Sequence, residues 1–357
     1  MKYLITLLLL GASISNWAQS PVNTETQKPK NIILLIGDGM GLSQVSAGFY
    51  FNEETSNFTR FNDIGLIRTS SSAQLVTDSA AGATAFASGV KTYNGAVGFS
   101  NKNQPVPTIV EILSERGYAT GVIATSSVVH ATPAAFYAHV KSRRIYQLIA
   151  DQMVESELDF IAGGGDMFFA QRTDGKNLYE SFKAKGFDVH TDALPENLSD
   201  KKQVIILADD GMPKMIEGRG DFLPNSTQMA LDYLSKTEEG FFLMVEGSQI
   251  DWGGHDENAD YLIGEQIDFD KTIGIALDFA ERNGDTLVIV TADHETGGFT
   301  LSAQGDNYYK IGPSFATSGH SASLIPVFAF GPGSDAFRGI YENTEIFHKM
   351  MALLGKK

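Results

Sequence analysis

Residues 77–85 of this chain (TDSAAGATA) place a serine after an acid, at the start of an alanine-rich run. Alanine favours helix more than any other residue, so the run predicts a helix that begins near Ser79. The first turn of a helix presents unpaired N–H groups and the positive end of the helix dipole, which favour an ionised serine oxygen and a phosphate bound beside it. An isolated Asp78–Ser79 pair is more often a simple helix cap. The catalytic interpretation therefore depends on metal ligands elsewhere in the chain.

Residues 246–255 (EGSQIDWGGH) have the types and spacing of metal ligands. Asp251 and His255 are four residues apart, so both side chains can reach one ion if the segment between them is helical. Glu246 supplies a further carboxylate just ahead of them. The segment predicts part of a metal site.

Three of the seven histidines lie in acid- or glycine-flanked loops of the last third of the chain: His255, His294 and His320. Asp293 directly precedes the second of these. Any one such histidine is more often structural than a ligand. Together with Asp38 and Glu246, however, the three predict bound metal ions.

The elements that must position these side chains are strands and helices in alternation. Continuous apolar runs are typical of strands covered on both faces, and they occupy residues 31–36, 120–124, 203–207, 241–245, 286–290 and 326–330. Helical patterns lie between them at residues 108–116, 226–236 and 271–282. This order predicts an α/β fold, with a mostly parallel central sheet between helical layers.

Four of the predicted strands lead into segments that carry candidate ligands. Functional groups in such folds collect where the carboxyl ends of the strands meet. The candidates at these ends are Asp38, Glu246, the pair Asp293–His294, and, a few residues after the strand at 120–124, His130 and Thr132. We therefore expect one site at one edge of one sheet.

The chain has no cysteine, so any metal site must use histidine and carboxylate ligands. Zinc accepts both, whereas magnesium prefers carboxylate, hydroxyl and water oxygens. The ligand types predict zinc at the histidines and a harder cation near Glu246 and Thr132. Two close cations are typical of enzymes that displace a group in line at phosphorus.

Five motifs together resemble those of bacterial alkaline phosphatases: LLIGDGMG at 34–41, VTDSAA at 76–81, KTYNG at 91–95, HATP at 130–133 and VTADHE at 290–295. The resemblance runs from about residue 30 to the C-terminus, and the combination is highly specific. It implies hydrolysis of small phosphate monoesters, with inorganic phosphate as product. It also implies that Ser79 is the nucleophile of a covalent phosphoseryl intermediate. Arg143 matches the arginine that grips two phosphate oxygens, and Asp78 would orient it.

The same resemblance implies two zinc ions and one magnesium ion in each chain. The ligands of the zinc that serves the incoming water and the leaving group would be Asp251, His255 and His320. The ligands of the zinc that activates the nucleophile would be Asp38, Asp293 and His294. The ligands of the magnesium ion would be Asp38, Thr132 and Glu246.

Two positions near the third cation depart from the commoner family pattern. His130 stands where many relatives have an acid, and Trp252 stands where many have a lysine, as in a subset of the family. Loss of the acid removes negative charge near the magnesium ion. In addition, the stretch between His294 and His320 is short, which predicts only a small accessory lobe.

The first twenty residues have the pattern of a secretory signal, with Lys2 followed by a short apolar run and small residues. We therefore expect a signal peptide at 1–20, an N-terminal segment at 21–30 and a single phosphatase domain at 31–357. The predicted location is periplasmic or secreted, without a stable membrane anchor. A net charge of −16 argues against a nucleic-acid partner, and the family resemblance implies a homodimer.

Two alternatives from different classes stay open at this point. The chain could be a phosphodiesterase, a phosphate-transferring mutase or another metal hydrolase of the same superfamily. Arg143 and the motif at 91–95 disfavour this alternative, because they match the monoesterase pattern. The second alternative is a non-catalytic phosphate- or metal-binding protein, which the intact Asp78–Ser79 pair disfavours.

Overall fold

A computed structural model describes residues 28–355 of the 357-residue chain. The predicted signal peptide and most of the predicted N-terminal segment lie outside the described residues. Within the described part, no helix is both long and apolar enough to cross a lipid bilayer.

Fourteen strands are described: β1 (Asn31–Gly37), β2 (Asp63–Arg68), β3 (Ala119–Ser127), β4 (Phe160–Gly164), β5 (Asp188–His190), β6 (Gln203–Ile206), β7 (Phe241–Gly247), β8 (Thr286–Thr291), β9 (Glu295–Thr296), β10 (Thr300–Gln304), β11 (Asn307–Ser314), β12 (His320–Ser321), β13 (Ile325–Phe330) and β14 (Gly339–Glu342). Eleven α-helices accompany them: α1 (Leu42–Phe51), α2 (Ser79–Ser88), α3 (Ile109–Ser114), α4 (Ala131–Ala134), α5 (Tyr146–Glu155), α6 (Asp166–Phe169), α7 (Leu178–Ala184), α8 (Phe222–Leu234), α9 (Gln249–His255), α10 (Ala259–Asn283) and α11 (Thr344–Leu353).

Ten strands form one central sheet in the order β14-β2-β13-β8-β1-β7-β3-β4-β6-β5. Only β13 runs antiparallel to its neighbours in this sheet; the other pairings are parallel. Strand β1 lies between β7 and β8, and all seven of its residues are buried. The predicted α/β fold with a mostly parallel sheet between helices is confirmed.

All six apolar runs are strands of this sheet, and the strands that lead into the site are longer than predicted. The predicted strand at 241–245 continues to Gly247, so Glu246 lies inside β7 rather than after it. There it pairs with Ile36 of β1 on one side and Ala124 of β3 on the other. A carboxylate in mid-sheet interrupts the apolar pattern, and for this reason the apolar run ends two residues before the strand does.

Helix α10 is twice as long as the predicted helix at 271–282, because it begins at Ala259. Its first half buries Glu265 and Asp268, which breaks the usual apolar stripe of an amphipathic helix. Both carboxylates bind the buried guanidinium of Arg219, at 2.5 Å and 2.8 Å. This partner lies 46 residues or more away in the chain, so local periodicity cannot reveal it.

Helix α8 begins at Phe222, four residues before the predicted start, and has Pro224 in its first turn, where a proline is tolerated. The predicted helix at 108–116 is shorter: α3 covers Ile109–Ser114, with a capping box between Thr108 and Glu111. Between the ligand candidates of β8 and β12, the chain forms only the two-residue strand β9 and the hairpin β10–β11. This hairpin is the small accessory lobe.

Candidate active site

The buried base of the site, here called the carboxylate floor, consists of side chains that lie in or just after the central strands. Asp38 follows β1, Glu246 lies in β7, and Asp293 follows β8 by two residues. Thr132 in α4 reaches the same place from the end of β3. All four side chains are fully buried.

Burial and mutual repulsion shift the titration of these acids. Burial is the main cause that raises the pKa of Asp38, and the charge of Asp293 adds to it. Burial also raises the pKa of Asp293. The pKa of Glu246 rises to about 7, again chiefly through burial, with a further contribution from the charge of Asp293. Three acids that oppose each other's ionisation require a compensating positive charge when they are all ionised.

The polar atoms of this floor fit bound cations. Among residues 28–355, five buried oxygens at this place have no hydrogen-bond partner: both carboxylate oxygens of Asp38, Oδ2 of Asp293, Oε1 of Glu246 and Oγ1 of Thr132. Unpartnered buried oxygens are costly unless an ion or water satisfies them. Carboxylate and hydroxyl oxygens are the hard ligands that divalent cations such as magnesium prefer.

The histidines lie on the solvent side of these carboxylates. Helix α9 places Asp251 and His255 on one face, with 3.4 Å between Oδ2 and Nε2. Nε2 of His320 is 3.6 Å from Oδ1 of Asp251 and 3.2 Å from Nε2 of His255. The other ring nitrogens face backbone carbonyls, Ser318 at 2.6 Å and Thr77 at 2.8 Å. Each ring is therefore oriented with Nε2 towards Asp251.

His294 lies at the centre of the site and has ligand atoms near it on both sides. Its Nε2 is 3.5 Å from Oδ1 of Asp38 and 3.2 Å from Oδ2 of Asp293. Its ring also stacks on His320, with ring centroids 3.5 Å apart. Burial, and next the charge of His320, lower the pKa of His294, so its imidazole is neutral and able to bind a metal.

Two groups in the described residues have ligand atoms close enough to hold one ion: Asp38, Asp293 and His294, and Asp251, His294 and His320. The first is one of the sets predicted from the sequence. In the second, His294 takes the place predicted for His255. His255 is nevertheless within 3.4 Å of both partners, so the predicted set of Asp251, His255 and His320 also converges.

Ser79 is the first residue of α2, and it faces the metal-ligand cluster. Its Oγ lies 3.3 Å from Nε2 of His294. Asp78 is the N-cap, because its Oδ1 accepts a hydrogen bond from the N–H of Ala81 at 3.0 Å. The other oxygen, Oδ2, accepts a hydrogen bond from Nη1 of Arg143 at 3.1 Å. The helix start, the nucleophile candidate and the arginine are thus held together by one carboxylate.

Two glycines allow the backbone to approach this closely. A Cβ on Gly82, one turn into α2, would lie 2.9 Å from Cβ of Asp293. Gly39 has a φ of +73°, a conformation that favours glycine. Its backbone nitrogen lies 3.3 Å from Oδ1 of Asp293, to which it donates a hydrogen bond. A side chain at Gly82 would push against Asp293, whereas a side chain at Gly39 would collide with Thr296 and Asp251.

His130 lies between Arg143 and Trp252 and contacts both. Nε2 of His130 is 3.3 Å from Nη2 of Arg143, and the His130 and Trp252 rings meet edge to face, with centroids 5.9 Å apart. Burial, followed by the Arg143 charge, lowers the pKa of His130 to about 3. The Trp252 ring packs against Gly211, where a Cβ would come within 2.6 Å of Cη2. His130 is therefore a neutral group at neutral pH.

Two residues that support the ligands were not predicted from the sequence. Oγ1 of Thr296 donates a hydrogen bond to Asp251 and lies 3.2 Å from Nδ1 of His294. Ser126 donates a hydrogen bond to Oε2 of Glu246 at 3.3 Å. Hydroxyls of this kind orient ligands and fix histidine tautomers. The one signal in the sequence is position, because Thr296 is two residues after His294.

Comparisons with known proteins show which family the chain belongs to. The alkaline phosphatase family model matches residues 29–314. Alkaline phosphatase 3 of Bacillus subtilis is 34% identical, with 92% of this chain and 90% of the relative covered. The alkaline phosphatase of the Antarctic bacterium TAB5 is 53% identical with a TM-score of 0.91, and the match covers 93% of this chain and all of that one.

A histidine-to-aspartate variant of the TAB5 enzyme, with Mg bound in its M3 site, matches at 52% identity and a TM-score of 0.90, over 93% of this chain and all of the variant. A family model that covers most of the chain and relatives similar over nearly their whole length lead to one conclusion. The chain belongs to the alkaline phosphatase family.

Proposed function

We propose that the chain hydrolyses phosphate monoesters, with Ser79 as the nucleophile of a covalent phosphoseryl intermediate. The observation that carries the proposal is the position of the Ser79 oxygen. It lies at the first turn of α2, 3.3 Å from His294 on one side. On the other side, Asp78 ties the same helix start to Arg143.

The chain's own residues account for the positioning part of the reaction. Arg143 presents a planar pair of N–H donors to two phosphate oxygens, which lysine cannot do. The Ser79 oxygen gives up its proton and attacks phosphorus, so the Oγ–P bond forms and the bond from phosphorus to the ester oxygen breaks. The ester oxygen gains a proton and leaves as an alcohol. A water then attacks the phosphoserine, releases inorganic phosphate and returns Ser79 to its starting state. The free N–H groups and the dipole of α2 favour the negative charge on the bound phosphoryl group.

Two zinc ions and one magnesium ion complete the proposed site. Asp251, His255 and His320 would hold one zinc ion. Asp38, Asp293 and His294 would hold the other, and Asp38, Thr132 and Glu246 would hold magnesium. When bound, such cations stabilise the attacking and leaving oxygens and neutralise the charge that develops on the phosphoryl group. The unpartnered buried oxygens of the carboxylate floor support this assignment.

His130 and Trp252 are proposed to weaken the third site. A neutral imidazole supplies no carboxylate to accept hydrogen bonds from waters around a magnesium ion, so the affinity of the third site for magnesium is reduced. A relative 52% identical to this chain binds Mg after a histidine-to-aspartate change. That finding supports a third site in which the choice between histidine and an acid controls magnesium affinity.

One experiment tests the central proposal. Purified protein is loaded with zinc and magnesium, its metal content is measured, and hydrolysis of an aryl phosphate is compared with hydrolysis of the corresponding diester. We expect about three ions per chain and a clear preference for the monoester. Faster diester turnover would favour the phosphodiesterase alternative. Metal binding without any turnover would favour a non-catalytic binding protein.

The remaining proposals concern the whole chain. We propose that residues 1–20 are a cleaved signal that directs a single phosphatase domain, residues 31–357, to the periplasm or the medium. We also propose a homodimer. Mass spectrometry of the exported protein tests the first, and a chain that keeps its first residues would contradict it. Light scattering at about micromolar concentration tests the second, and a monomer mass would contradict it.

A further inference from the structure

A histidine outside the metal cluster, His139, lies on the segment that leads to Arg143. Nδ1 of His139 is 2.8 Å from the carbonyl oxygen of Gly98, and Nε2 is 2.9 Å from Oε1 of Glu111. Both partners are acceptors, since a backbone carbonyl cannot donate and an ionised carboxylate cannot either. Both ring nitrogens can satisfy these partners only if both carry protons. The geometry therefore requires an imidazolium at His139.

The charges around His139 are consistent with this state. Burial acts to lower the pKa of His139, but the bonds to Glu111 and Gly98 outweigh it, so the pKa is raised. Burial likewise acts to raise the pKa of Glu111, and the hydrogen bond from His139 reverses the direction. The other acids beside the same cavity, of about 530 Å³, are Glu155 and Glu157. The neutral Gln152 of α5 faces the backbone of His139.

His139 makes hydrogen bonds that join three segments of the chain. Glu111 belongs to the first turn of α3, and its other carboxylate oxygen caps Thr108. Gly98 follows the motif at 91–95, and its N–H donates to Oγ1 of Thr84 on α2, the helix of Ser79. The contact with Gly98 is close: a Cβ there would lie 2.7 Å from Nδ1 of His139. The imidazolium of His139 thus connects α3 with residues 95–98, here called the strip, and with the segment that leads from His139 to Arg143.

The strip at residues 95–98 in turn sets the position of Arg143. Val97 and Val140 exchange two backbone hydrogen bonds, of 3.0 Å and 2.9 Å. The N–H of Arg143 donates to the carbonyl of Gly95 at 2.7 Å. If the strip shifts, the backbone of Arg143 shifts with it, and so does the guanidinium that Asp78 orients.

We propose that His139 is a positioning residue, which fixes the guanidinium of Arg143 for phosphate through the Gly98 contact and is held as an imidazolium by Glu111. This inference rests on the proposed function, in which Arg143 grips the phosphoryl group. Binding sites of this kind lose about a hundredfold in rate when a group moves by about 1 Å. The backbone hydrogen bonds of Val97 with Val140 and of Arg143 with Gly95 remain when His139 is replaced, so we expect a smaller effect.

The test measures inhibition by inorganic phosphate, and kcat and KM for an aryl phosphate, on the full chain loaded with zinc and magnesium. We expect the inhibition constant for phosphate to rise by between about threefold and thirtyfold in His139→Gln, with KM rising more than kcat changes. In Glu111→Gln the side chain can still complete the capping box, but its charge is removed. The inhibition constant for phosphate should rise less in this variant than in His139→Gln. His190→Gln is the matched control, because His190 contacts Gln203 at the far edge of the sheet.

A double-mutant cycle decides whether His139 acts through Arg143. In an Arg143→Ala background there is no guanidinium to position, so His139→Gln should produce no further loss of phosphate affinity. The inference would be overturned if His139→Gln lowered phosphate affinity by the same factor in the wild type and in Arg143→Ala. It would also be overturned if the effect were no larger than that of His190→Gln. If Arg143→Ala alone leaves phosphate affinity unchanged, the proposed function of Arg143 fails instead. Glu111→Gln provides the same comparison should His139→Gln not fold.

Discussion

The hydroxyl oxygen of Ser79 lies 3.3 Å from Nε2 of His294, although 215 residues separate them in the chain. The same nitrogen is 3.2 Å from Oδ2 of Asp293. The nucleophile candidate and a buried metal-ligand cluster are therefore neighbours, and this contact is made possible by Gly82, which brings α2 against Asp293. The chemistry of the serine and the binding of metal should be separable by mutation.

Ser79→Ala should lower turnover by at least about two orders of magnitude, since no phosphoseryl intermediate can form. Residual hydrolysis by direct attack of water is expected, because the surrounding charges remain preorganised. Metal content and melting temperature should hardly change, since all the proposed ligands are retained. Acid quenching of the wild type during turnover should trap phosphate on the peptide that contains Ser79. Turnover at the wild-type level in the variant would refute the nucleophile assignment.

Asp78→Asn should weaken the hold on phosphate without unfolding α2. Asparagine caps helices as well as aspartate does, so the cap on Ala81 is kept. The charge that holds Arg143 at 3.1 Å is lost, and the guanidinium becomes less ordered. We expect the inhibition constant for phosphate to rise a few-fold, measured beside the melting temperature. An unchanged inhibition constant would show that Asp78 serves only as a cap.

Exhaustive chelation should abolish activity and lower the melting temperature. Ions that bind only the folded chain stabilise it by mass action, and this chain has no cysteine and thus no disulfide to hold its ligand loops. Zinc should restore turnover, and magnesium should raise it further without replacing zinc. The measurement is activity and calorimetry before and after each addition. Full activity after chelation, with metal content confirmed as zero, would exclude the metal assignment.

His130→Asp should bind magnesium more tightly than the wild type. The new carboxylate can accept hydrogen bonds from water bound to magnesium, and it also faces Arg143, which is 3.3 Å from the histidine now. Turnover should fall if phosphate release becomes limiting. Titration of activity and of bound magnesium tests this, with the same titration of the wild type for comparison. An unchanged magnesium dependence would place His130 away from the third site.

The metal-free protein should lose stability as the pH rises through neutrality. Glu246 has a folded pKa of about 7, raised above its ordinary value of 4.5 by burial. Its protonated form thus stabilises the fold fully below about pH 4.5, and this contribution is lost as the pH rises through about 7. Glu246→Gln should lack this part of the pH dependence, so the two chelated proteins should differ most in the slope of stability against pH between about pH 4.5 and 7.

Bound metal should reverse that trend, because cations require ionised ligands. The stability of the metal-loaded protein should therefore rise or stay level over the same range. Thermal melts of the wild type and Glu246→Gln, each with and without metal, measure all four slopes. Parallel slopes for the two chelated proteins would show that Glu246 does not titrate in this range.

Local patterns in the sequence were sufficient for six of the ten strands of the central sheet and for the candidate ligands that follow them. They did not predict β2, β4, β5 or β14. An apolar run reports a buried strand wherever both faces are covered, so β1, β7 and β8 follow from the order of amino acids alone. The spacing of Asp251 and His255 predicted that both lie on one face of a helix, and α9 contains both residues. The alanine-rich run after Asp78 predicted the helix of Ser79, because helix propensity and capping are properties of neighbouring residues.

Only the tertiary structure decided what depends on residues far apart in the chain. The first half of α10 can bury Glu265 and Asp268 because Arg219 pairs with both. His294 belongs to both groups of candidate metal ligands, and the hydroxyl of Thr296 lies beside its Nδ1. His139 gains its charge from Glu111 and a carbonyl at Gly98. Ligand types and local periodicity are written in the sequence, whereas the distances and the electrostatics of the site arise only when packing brings distant segments together.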